Sequence, residues 1–434
     1  MTNHIKKMLR IKDEDLNLTC VEEGKYKGVN TLIITGTYSP KLTACKYCQS
    51  HANDADEKKT IVKNGKKEVT IRLESYQNIP TILKLKKQRY FCKNCHQHWT
   101  TQCSIVEENC FISRFITFRI LELLTQKISM TVIAKICHVS LTTVIRVLKS
   151  VEKHLPETLK PRSFPKVLMV DEFRSHATYE DKMSFICANG ETGELVDVLP
   201  SRRLDKLMNY FNRSPKEKRE QVKFLVTDMN AAYFQLTKKI FPCAALVIDR
   251  FHIVKHLNQA FNDFRVREMK ELIKNHQRSE ANKLKVNWKY LLKNQMTVSS
   301  SEYKNWRSFP SPKFPPLTES MMIDRLLSFS TDLKEAYGVF QLLTYHFRNK
   351  DPDSFFDLLK NLPTTLNPLF KQKIENLINY EEGIRNALTY KYSNGKIEAK
   401  NTHIKTLKRV SYGFKSFSNM RIRIFMINGL VTIE

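Results

Sequence analysis

The chain has 434 residues, with 72 lysines and arginines against 44 aspartates and glutamates, so its formal net charge is +28. This excess favours a polyanionic partner, because each phosphate neutralised by a basic side chain releases counterions. Nucleic acid is the first candidate and an anionic membrane surface the second. No apolar run approaches the ~18 residues of a membrane span and the N-terminus lacks a signal-peptide core, so we expect a soluble intracellular protein.

Residues 1–112 are predicted to form a small β-rich module that binds zinc. Its clearest strand is Thr31–Thr37, and ten cysteines are too few for a disulfide framework in a chain of this size. Two CxxC pairs each form a tight knuckle, and two knuckles complete a tetrahedral site. We therefore predict one structural Zn²⁺ held by Cys45, Cys48, Cys92 and Cys95. The alternative is reduced, partly buried thiols, and His96 or His98 could replace one ligand.

The next module, residues 113–156, is predicted to be helical. One helical face carries Phe115, Phe118, Leu121 and Leu124, and Ser129 is placed to cap a second helix. A third helix follows the break at Ser140, with Leu141, Val144, Ile145 and Leu148 as its buried stripe. Its open face carries Thr142, Thr143, Arg146 and Lys149. The last two helices have the size and spacing of a helix-turn-helix whose second helix reads DNA, although two short packed helices without a DNA role remain the alternative.

From residue 165 the apolar pattern changes to that of strands. A buried run ends at Asp171, two further strands flank a glycine-containing hairpin turn at 189–193, and a later run ends at Asp228. With the intervening helices, the order is β-β-β-α-β-α-β-α. This is the order of a ribonuclease H-like α/β fold, in which the first and fourth strands are neighbours. Asp171 and Asp228 end those two strands, so we expect them to lie side by side.

The rest of the chain is predicted to be mainly helical and basic. Residues from about 262 to 390 are interpreted as a helical insertion within a catalytic domain spanning 165–434. Near its end, Ser393 or Asn394 can cap a helix that carries Glu398 and Asn401 on one face. This helix also carries Lys405 and Lys408, which are placed to meet phosphate, although solvated lysines are the alternative.

Three carboxylates at one site suit cleavage or transfer at a phosphodiester. The reaction requires an activated water or 3′-hydroxyl and a stabilised leaving oxygen, and two carboxylate-bound metal ions provide both. We expect Asp171 to bridge two Mg²⁺ (or Mn²⁺) ions, with Asp228 and Glu398 each completing one side. Glu172 is excluded from the ligands because strand alternation turns it to the other face.

Together, these motifs resemble those of bacterial insertion-sequence transposases of the ISL-three type, which carry a DDE catalytic domain. The resemblance covers the CxxC pairs, the helix-turn-helix, the segments around Asp171 and Asp228, and the Asn-Gly motif from 393 to 401. It implies Asp171, Asp228 and Glu398 as the catalytic triad. It also matches Asp249 and His252 to a carboxylate-x-x-His motif, whereas the residues alone suggest a helix cap and a first-turn histidine.

The resemblance further implies the partners and location of the protein. The substrates would be the element's own terminal inverted repeats and target DNA, joined by cut-and-paste or a related transfer. A homodimer or larger assembly would pair two ends in the nucleoid-associated bacterial cytoplasm. Two other functions fit the same motifs: a ribonuclease H-like nuclease that cleaves without joining, and a sequence-specific DNA-binding regulator whose sheet domain is inactive.

Overall fold

The computed structural model describes residues 2–53, 58–153, 164–175, 181–310 and 312–431. By spatial contact the chain divides into two units, residues 1–159 with 404–434, and residues 160–403. No single helix in the described ranges is long and apolar enough to cross a membrane, while one bent pair, Met130–Ile136 with Leu141–Glu152, passes on length and composition alone.

The first unit contains a five-stranded sheet with the order β1-β2-β4-β3, and β5 lies alongside β4. The strands are β1 Leu16–Tyr26, β2 Val29–Tyr38, β3 Ile61–Tyr76, β4 Ile79–Cys92 and β5 His98–Thr100, preceded by the helix Thr2–Met8. β2 and β4 run parallel, and the other pairs are antiparallel. Alternating residues such as Ile34, Leu83 and Leu85 bury one face, as the two-residue period of a strand requires.

Three helices of the first unit, Arg114–Leu124, Met130–Ile136 and Leu141–Glu152, each begin after a serine. The hydroxyls of Ser113, Ser129 and Ser140 accept the backbone N–H three residues further on, which satisfies a donor that the helix itself leaves unpaired. The predicted cap at Ser129 is therefore confirmed. The second and third of these helices meet at an angle of 111°.

The predicted buried faces of the first and third helices are partly wrong. Phe115 and Phe118 are 42% and 53% exposed, and Leu141 is 41% exposed. The first helix is buried instead through Ile116, Ile120, Leu123 and Leu124. This apolar set has the i, i+4, i+7, i+8 spacing of a helical stripe. The segment carries two overlapping apolar stripes, and its neighbours in space decide which one is buried.

A C-terminal helix, Phe417–Ile427, completes the first unit. Its Arg423 is fully buried and donates from Nη2 to the carbonyl oxygens of Gln126 and Ile128, at 2.8 and 3.0 Å. Burial lowers the pKa of Arg423 to about 10. The Oγ of Ser418 bonds Oε1 of Glu152 at 2.7 Å. The C-terminal helix is thus fixed to the ends of two of the serine-capped helices.

The second unit is built on a five-stranded sheet with the order β10-β9-β6-β7-β8. Its strands are β6 Val167–Arg174, β7 Met183–Asn189, β8 Leu195–Leu199, β9 Phe224–Thr227 and β10 Ala245–Ile248. β6, β7 and β8 form an antiparallel meander, while β9 runs parallel to β6 and β10 parallel to β9. The predicted meander and the predicted pairing of the first and fourth strands are confirmed.

Short helices cover this sheet, namely Leu204–Phe211, Lys216–Arg219 and Ala231–Ile240. Phe185 of β7 packs with Phe211 and Tyr233 of two of these helices, with ring centroids 6.1 and 5.9 Å away. All three side chains are fully buried. This aromatic layer holds the strands that carry the candidate site residues in a rigid core.

The remainder of the second unit is helical, and its core includes the predicted Leu326, Leu333 and Phe340. The α-helices are Arg250–Lys274, Arg278–Val286, Trp288–Leu291, Glu319–Leu327, Thr331–Arg348, Pro352–Lys360, Pro368–Glu375 and Glu381–Thr389, with 3₁₀ turns at Gln295–Thr297 and Asn376–Tyr380. The last α-helix covers the edge strand β10. Its Asn386 donates to the Leu246 carbonyl at 2.7 Å, and a Cβ at Gly383 would lie only 2.8 Å from the Ile248 side chain.

The helix Gly395–Val410 contributes to both units, since the boundary between them falls at 403/404. Its first two turns carry Glu398 and Asn401, which belong to the second unit. The chain then turns at Gly413, where the φ angle of +88° favours glycine.

Candidate active site and zinc centre

Asp171 and Asp228 lie at matching positions on neighbouring parallel strands. The last paired residues of β6 and β9 are Met169 and Val226. The same register, extended by two residues, sets Asp171 opposite Asp228. Residues in register on parallel strands face the same side, so both carboxylates line one edge of the sheet.

Asp249 continues this row on the third parallel strand. β10 pairs with β9 up to Ile248 and Thr227, and the backbone N–H of Asp249 donates to the Thr227 carbonyl at 2.8 Å. One further residue in register sets Asp249 beside Asp228. The sequence shows the signal for this residue, because the apolar run Ala245–Ile248 ends in an aspartate just as the two earlier runs do. Reasoning from the residues alone missed this repeat.

Asp171 is held by donors to both of its oxygens. The backbone N–H of Glu172 donates to Oδ1, and Asn401 Nδ2 donates to Oδ2, each at 2.7 Å. The pKa of Asp171 is raised to about 6, mainly by burial and further by the charge of Asp228, whereas the Glu172 N–H opposes the rise. A nearby cation would favour the anion of this carboxyl group and so counteract the rise in its pKa.

Asp228 shares this electrostatic environment. Burial raises its pKa, the charge of Glu172 raises it further, and His252 opposes the rise. Glu172 as well as Asp171 therefore lies close enough to Asp228 for the negative charges to interact. A site with this excess of negative charge is suited to divalent cations.

Glu172 is held in a tight ion pair. Arg202 Nη1 lies 2.6 Å from both carboxylate oxygens of Glu172, whose side chain is only 15% exposed. Among the described residues, Glu172 belongs to no cluster of metal-ligating side chains. Its charge nevertheless acts on Asp171 and Asp228. The pairing of Glu172 with Arg202 could not be predicted from the sequence, because the two residues are 30 positions apart.

Glu398 lies with Asp249 and His252. One ligand atom from each of these three residues falls within 4.8 Å of the other two. In the described part of the chain, the predicted set of Asp171, Asp228 and Glu398 does not form a cluster of this kind. The structure thus brings Asp171 and Asp228 to one edge of the sheet and groups Glu398 with Asp249 and His252.

Two asparagines connect the acidic residues to the helix that carries Glu398. Asn394 is buried; its backbone N–H donates to Asp249 Oδ1 at 3.1 Å and its Nδ2 donates to the Val170 carbonyl at 3.3 Å. Asn401 is also buried and donates to Asp171, as described above. Asp249 does occupy the cap position of its helix, but its side chain makes no capping hydrogen bond. The Asn-Gly motif therefore positions the helix against the strand ends.

The four predicted cysteines converge in the first unit. The sulfur atoms of Cys45 and Cys95 are 3.7 Å apart, as are those of Cys48 and Cys92, and all four lie within 4.8 Å of one another. Tetrahedral zinc with Zn–S bonds of about 2.3 Å separates its sulfurs by about 3.8 Å. Backbone N–H groups, first that of Cys95, lower the pKa of Cys92 to about 6. The four thiols therefore fit a structural Zn²⁺.

The residues predicted to meet DNA lie on helices of the first unit. Thr142, Arg146 and Lys149 are exposed on the helix Leu141–Glu152, and Thr143 is half-buried. The Thr142 and Thr143 hydroxyls bond Ser140 Oγ at 2.7 and 2.9 Å. On the helix Gly395–Val410, Lys405 is exposed and Lys408 is half-buried.

Two family models match the chain. Residues 168–424 match the ISL3 model of DDE type, described as "Transposase", and residues 42–95 match a model described as "zinc-finger of transposase IS204/IS1001/IS1096/IS1165". The chain belongs to the ISL3 transposase family. Membership implies a metal-dependent polynucleotidyl transferase with DNA as partner. The second match supports a structural zinc ion at the four cysteines.

A partial similarity to a differently named protein was also found. An "ATP-dependent protease" of Lactococcus lactis subsp. lactis is 39% identical over 113 residues, which make up 26% of the ISL3 transposase chain and 36% of that protein. The chain thus spans about a third of the length of this curated relative. The ISL3 family model covers more than twice as many residues of the chain.

Proposed function

We propose that the chain is a DNA transposase that binds the terminal inverted repeats of its own insertion sequence and catalyses metal-dependent cleavage and strand transfer. One observation carries the proposal: the register of neighbouring parallel strands sets Asp171, within β6, opposite Asp228, directly after β9, and Asn401, on the helix of Glu398, donates to Asp171. Metal-dependent reaction at a phosphodiester uses carboxylates brought together at one site.

The proposed domain organisation is that expected from the sequence. A zinc-binding module (1–112) precedes a helix-turn-helix (113–156) and a ribonuclease H-like catalytic domain (165–434) with a helical insertion from about 262 to 390. The strand order β10-β9-β6-β7-β8 supports the ribonuclease H-like assignment, since its first and fourth strands are paired. The 111° angle between two short helices supports the helix-turn-helix, for which about 90–120° is typical.

In the proposed mechanism, Asp171, Asp228 and Glu398 would hold two Mg²⁺ (or Mn²⁺) ions. Divalent cations bound there would activate the attacking hydroxyl group and stabilise the leaving oxygen. Asp171 and Asp228 fit such ions, because both carboxylates are partly buried and burial raises the pKa of each, an effect that a bound cation would oppose. Hard oxygen ligands are those that Mg²⁺ prefers.

The other residues of the site act on these carboxylates. Asn401 and the Glu172 N–H fix both oxygens of Asp171, so that the carboxylate keeps one orientation. Arg202 neutralises Glu172 and thereby limits the negative charge around Asp228. Partial burial of Asp171 and Asp228 lowers the effective dielectric constant around them, which would strengthen their electrostatic interactions with a bound cation.

DNA is proposed to bind through four residues of the helix Leu141–Glu152 and through two lysines of the helix Gly395–Val410. Thr142, Thr143, Arg146 and Lys149 would contact base edges and phosphates of the inverted repeats. Lys405 and Lys408 would contact phosphates of the cleaved strand. The net charge of +28 supports strong binding to a polyanion. A homodimer or larger assembly would hold two ends together.

Incubation of the protein with labelled element ends, a target plasmid and Mg²⁺ tests this function. We expect cleaved ends and joined products from the wild type. Asp171→Ala should abolish both while end binding is retained, and Asp205→Ala, which changes an exposed aspartate outside the site, should behave like the wild type.

The alternatives predict other outcomes of the same assay. Cleavage without a joined product would replace the transposase with a nuclease. End binding without cleavage by the wild type would favour the DNA-binding regulator. Cleavage by Asp171→Ala would show that the proposed site is wrong.

A further inference from the structure

We infer that Asp249, His252 and Glu398 form a metal subsite of their own, in which an imidazole nitrogen joins two carboxylates and selects Mn²⁺ over Mg²⁺. The inference deepens the proposed function, on which it rests through Glu398. It adds Asp249 and His252 to the ligands of the ion that Glu398 would hold. The remaining pair, Asp171 and Asp228, would then form an all-oxygen subsite.

The first observation is the geometry of the three side chains. Their ligand atoms all lie within 4.8 Å of one another, close enough for one ion to contact all three. They come from two elements that are fixed against each other: Asp249 and His252 from the start of the helix Arg250–Lys274, and Glu398 from the first turn of the helix Gly395–Val410. The hydrogen bond from the Asn394 N–H to Asp249 Oδ1 joins these two helix starts.

The second observation is a set of buried polar atoms without partners among the described residues. Asp249 is only 3% exposed, and while Oδ1 accepts from Asn394, Oδ2 has no donor. His252 Nδ1 is likewise buried and unpaired. A buried carboxylate oxygen without a hydrogen-bond donor is costly, and a bound cation would satisfy it. These unpaired buried atoms indicate, independently of the geometry, that the cluster binds a cation.

The ligand types decide which cation fits. Mg²⁺ favours oxygen ligands in octahedral geometry and retains several waters, whereas imidazole nitrogen suits first-row transition metals. Of the two ions proposed for this site, a set of two carboxylates and one histidine therefore favours Mn²⁺ over Mg²⁺. The Asp171 and Asp228 carboxylates show no nitrogen in an equivalent cluster of the described residues, and they suit either ion.

Pulsed electron paramagnetic resonance of Mn²⁺ bound to the full chain, with its zinc retained, tests the inference directly. We expect the coupling of a directly bound ¹⁴N nucleus in the wild type and its loss in His252→Gln. His256→Gln is the matched control, since His256 lies one turn further along the same helix and its Nε2 bonds the Lys373 carbonyl instead. Absence of ¹⁴N coupling in the wild type, or its persistence in His252→Gln, overturns the inference.

Mn²⁺ titration by calorimetry provides a second readout that does not depend on catalysis. Glu398→Gln changes an exposed residue, so it should fold even if the histidine variant does not. We expect it to weaken the tighter Mn²⁺ binding step at least about tenfold, by analogy with the effects of altering metal-ligand shells. Unchanged Mn²⁺ affinity in Glu398→Gln contradicts the subsite.

The two proposals fail in different ways. Loss of cleavage in Asp171→Ala together with an absence of ¹⁴N coupling would retain the transposase and reject the nitrogen-containing subsite. Coupling that depends on His252 in a protein that never cleaves DNA would retain the subsite and reject the transposase.

Discussion

The zinc centre and the acidic site are both built for metal ions, but the chain assembles them in opposite ways. The zinc centre takes its four ligands from two CxxC knuckles, and its sulfur spacing of 3.7 Å already matches tetrahedral zinc. The acidic site gathers Asp171 from within β6, Asp228 and Asp249 from directly after β9 and β10, and side chains from one distant helix, whose Asn401 is 230 positions from Asp171. The first centre therefore depends on local geometry, and the second on the fold of the whole unit.

The largest expected effect is loss of the zinc centre. Cys92→Ser should release the ion and unfold the N-terminal module, because the binding free energy of a structural zinc ion is also folding free energy. Metal analysis should fall from about one ion per chain to none. Cys20→Ser is the control, since Cys20 is exposed and lies outside the cluster. Full zinc content in Cys92→Ser would mean that the four thiols are not the site.

The acidic site should instead make the free energy of unfolding depend on pH. The folded-state pKa of Asp171 is raised from 3.8 to about 6, so its protonated form is favoured by folding. Its contribution to the free energy of unfolding is therefore fully present below about pH 4 and is lost as the pH rises through about 6, by up to about 3 kcal/mol. Raised carboxyl pKa values make the metal-free site least stable near neutral pH.

Urea denaturation of zinc-loaded, Mg²⁺-free protein measures this effect. Asp171→Asn cannot ionise, so its stability relative to the wild type should increase between pH 4 and 7. Saturating Mg²⁺ should remove much of that difference, because the cation stabilises the carboxylate. A difference that stays constant with pH would contradict the raised pKa.

A smaller effect is expected when only the orientation of Asp171 is disturbed. Asn401→Ala removes the donor to Oδ2, and the loss of a residue that orients a metal ligand costs about 10–100-fold in activity. Asn401→Asp should cost more, since it places a second carboxylate against Asp171. Cleavage rates under saturating metal compare both variants with the wild type, and a wild-type rate in Asn401→Ala would show that the amide has no orienting role. Zinc content should not change in either variant.

The two sites also differ in how much of each could be predicted from the sequence. The knuckles, the serine cap at Ser129 and the strands that carry Asp171 and precede Asp228 were predictable, because each depends on short-range spacing. The predicted end of the first strand at Asp171 was wrong, since β6 continues to Arg174. The partnership of Asp249 with Glu398 was not, since it requires the register of β10 against β9 and the position of a helix 145 residues further on. The choice between two apolar stripes at Phe115 and Ile116 likewise depends on tertiary packing. Catalytic assignment of the triad remains a prediction.

The membership of the C-terminal helix Phe417–Ile427 in the first unit has a consequence for protein synthesis. This unit also carries the proposed DNA-reading helix Leu141–Glu152, yet Arg423 supplies two of the hydrogen bonds that complete it. The ribosome must therefore translate all of residues 160–403 before the first unit can finish folding. A nascent chain or truncated product would lack the complete DNA-binding unit, so end binding would be coupled to the presence of the catalytic segment.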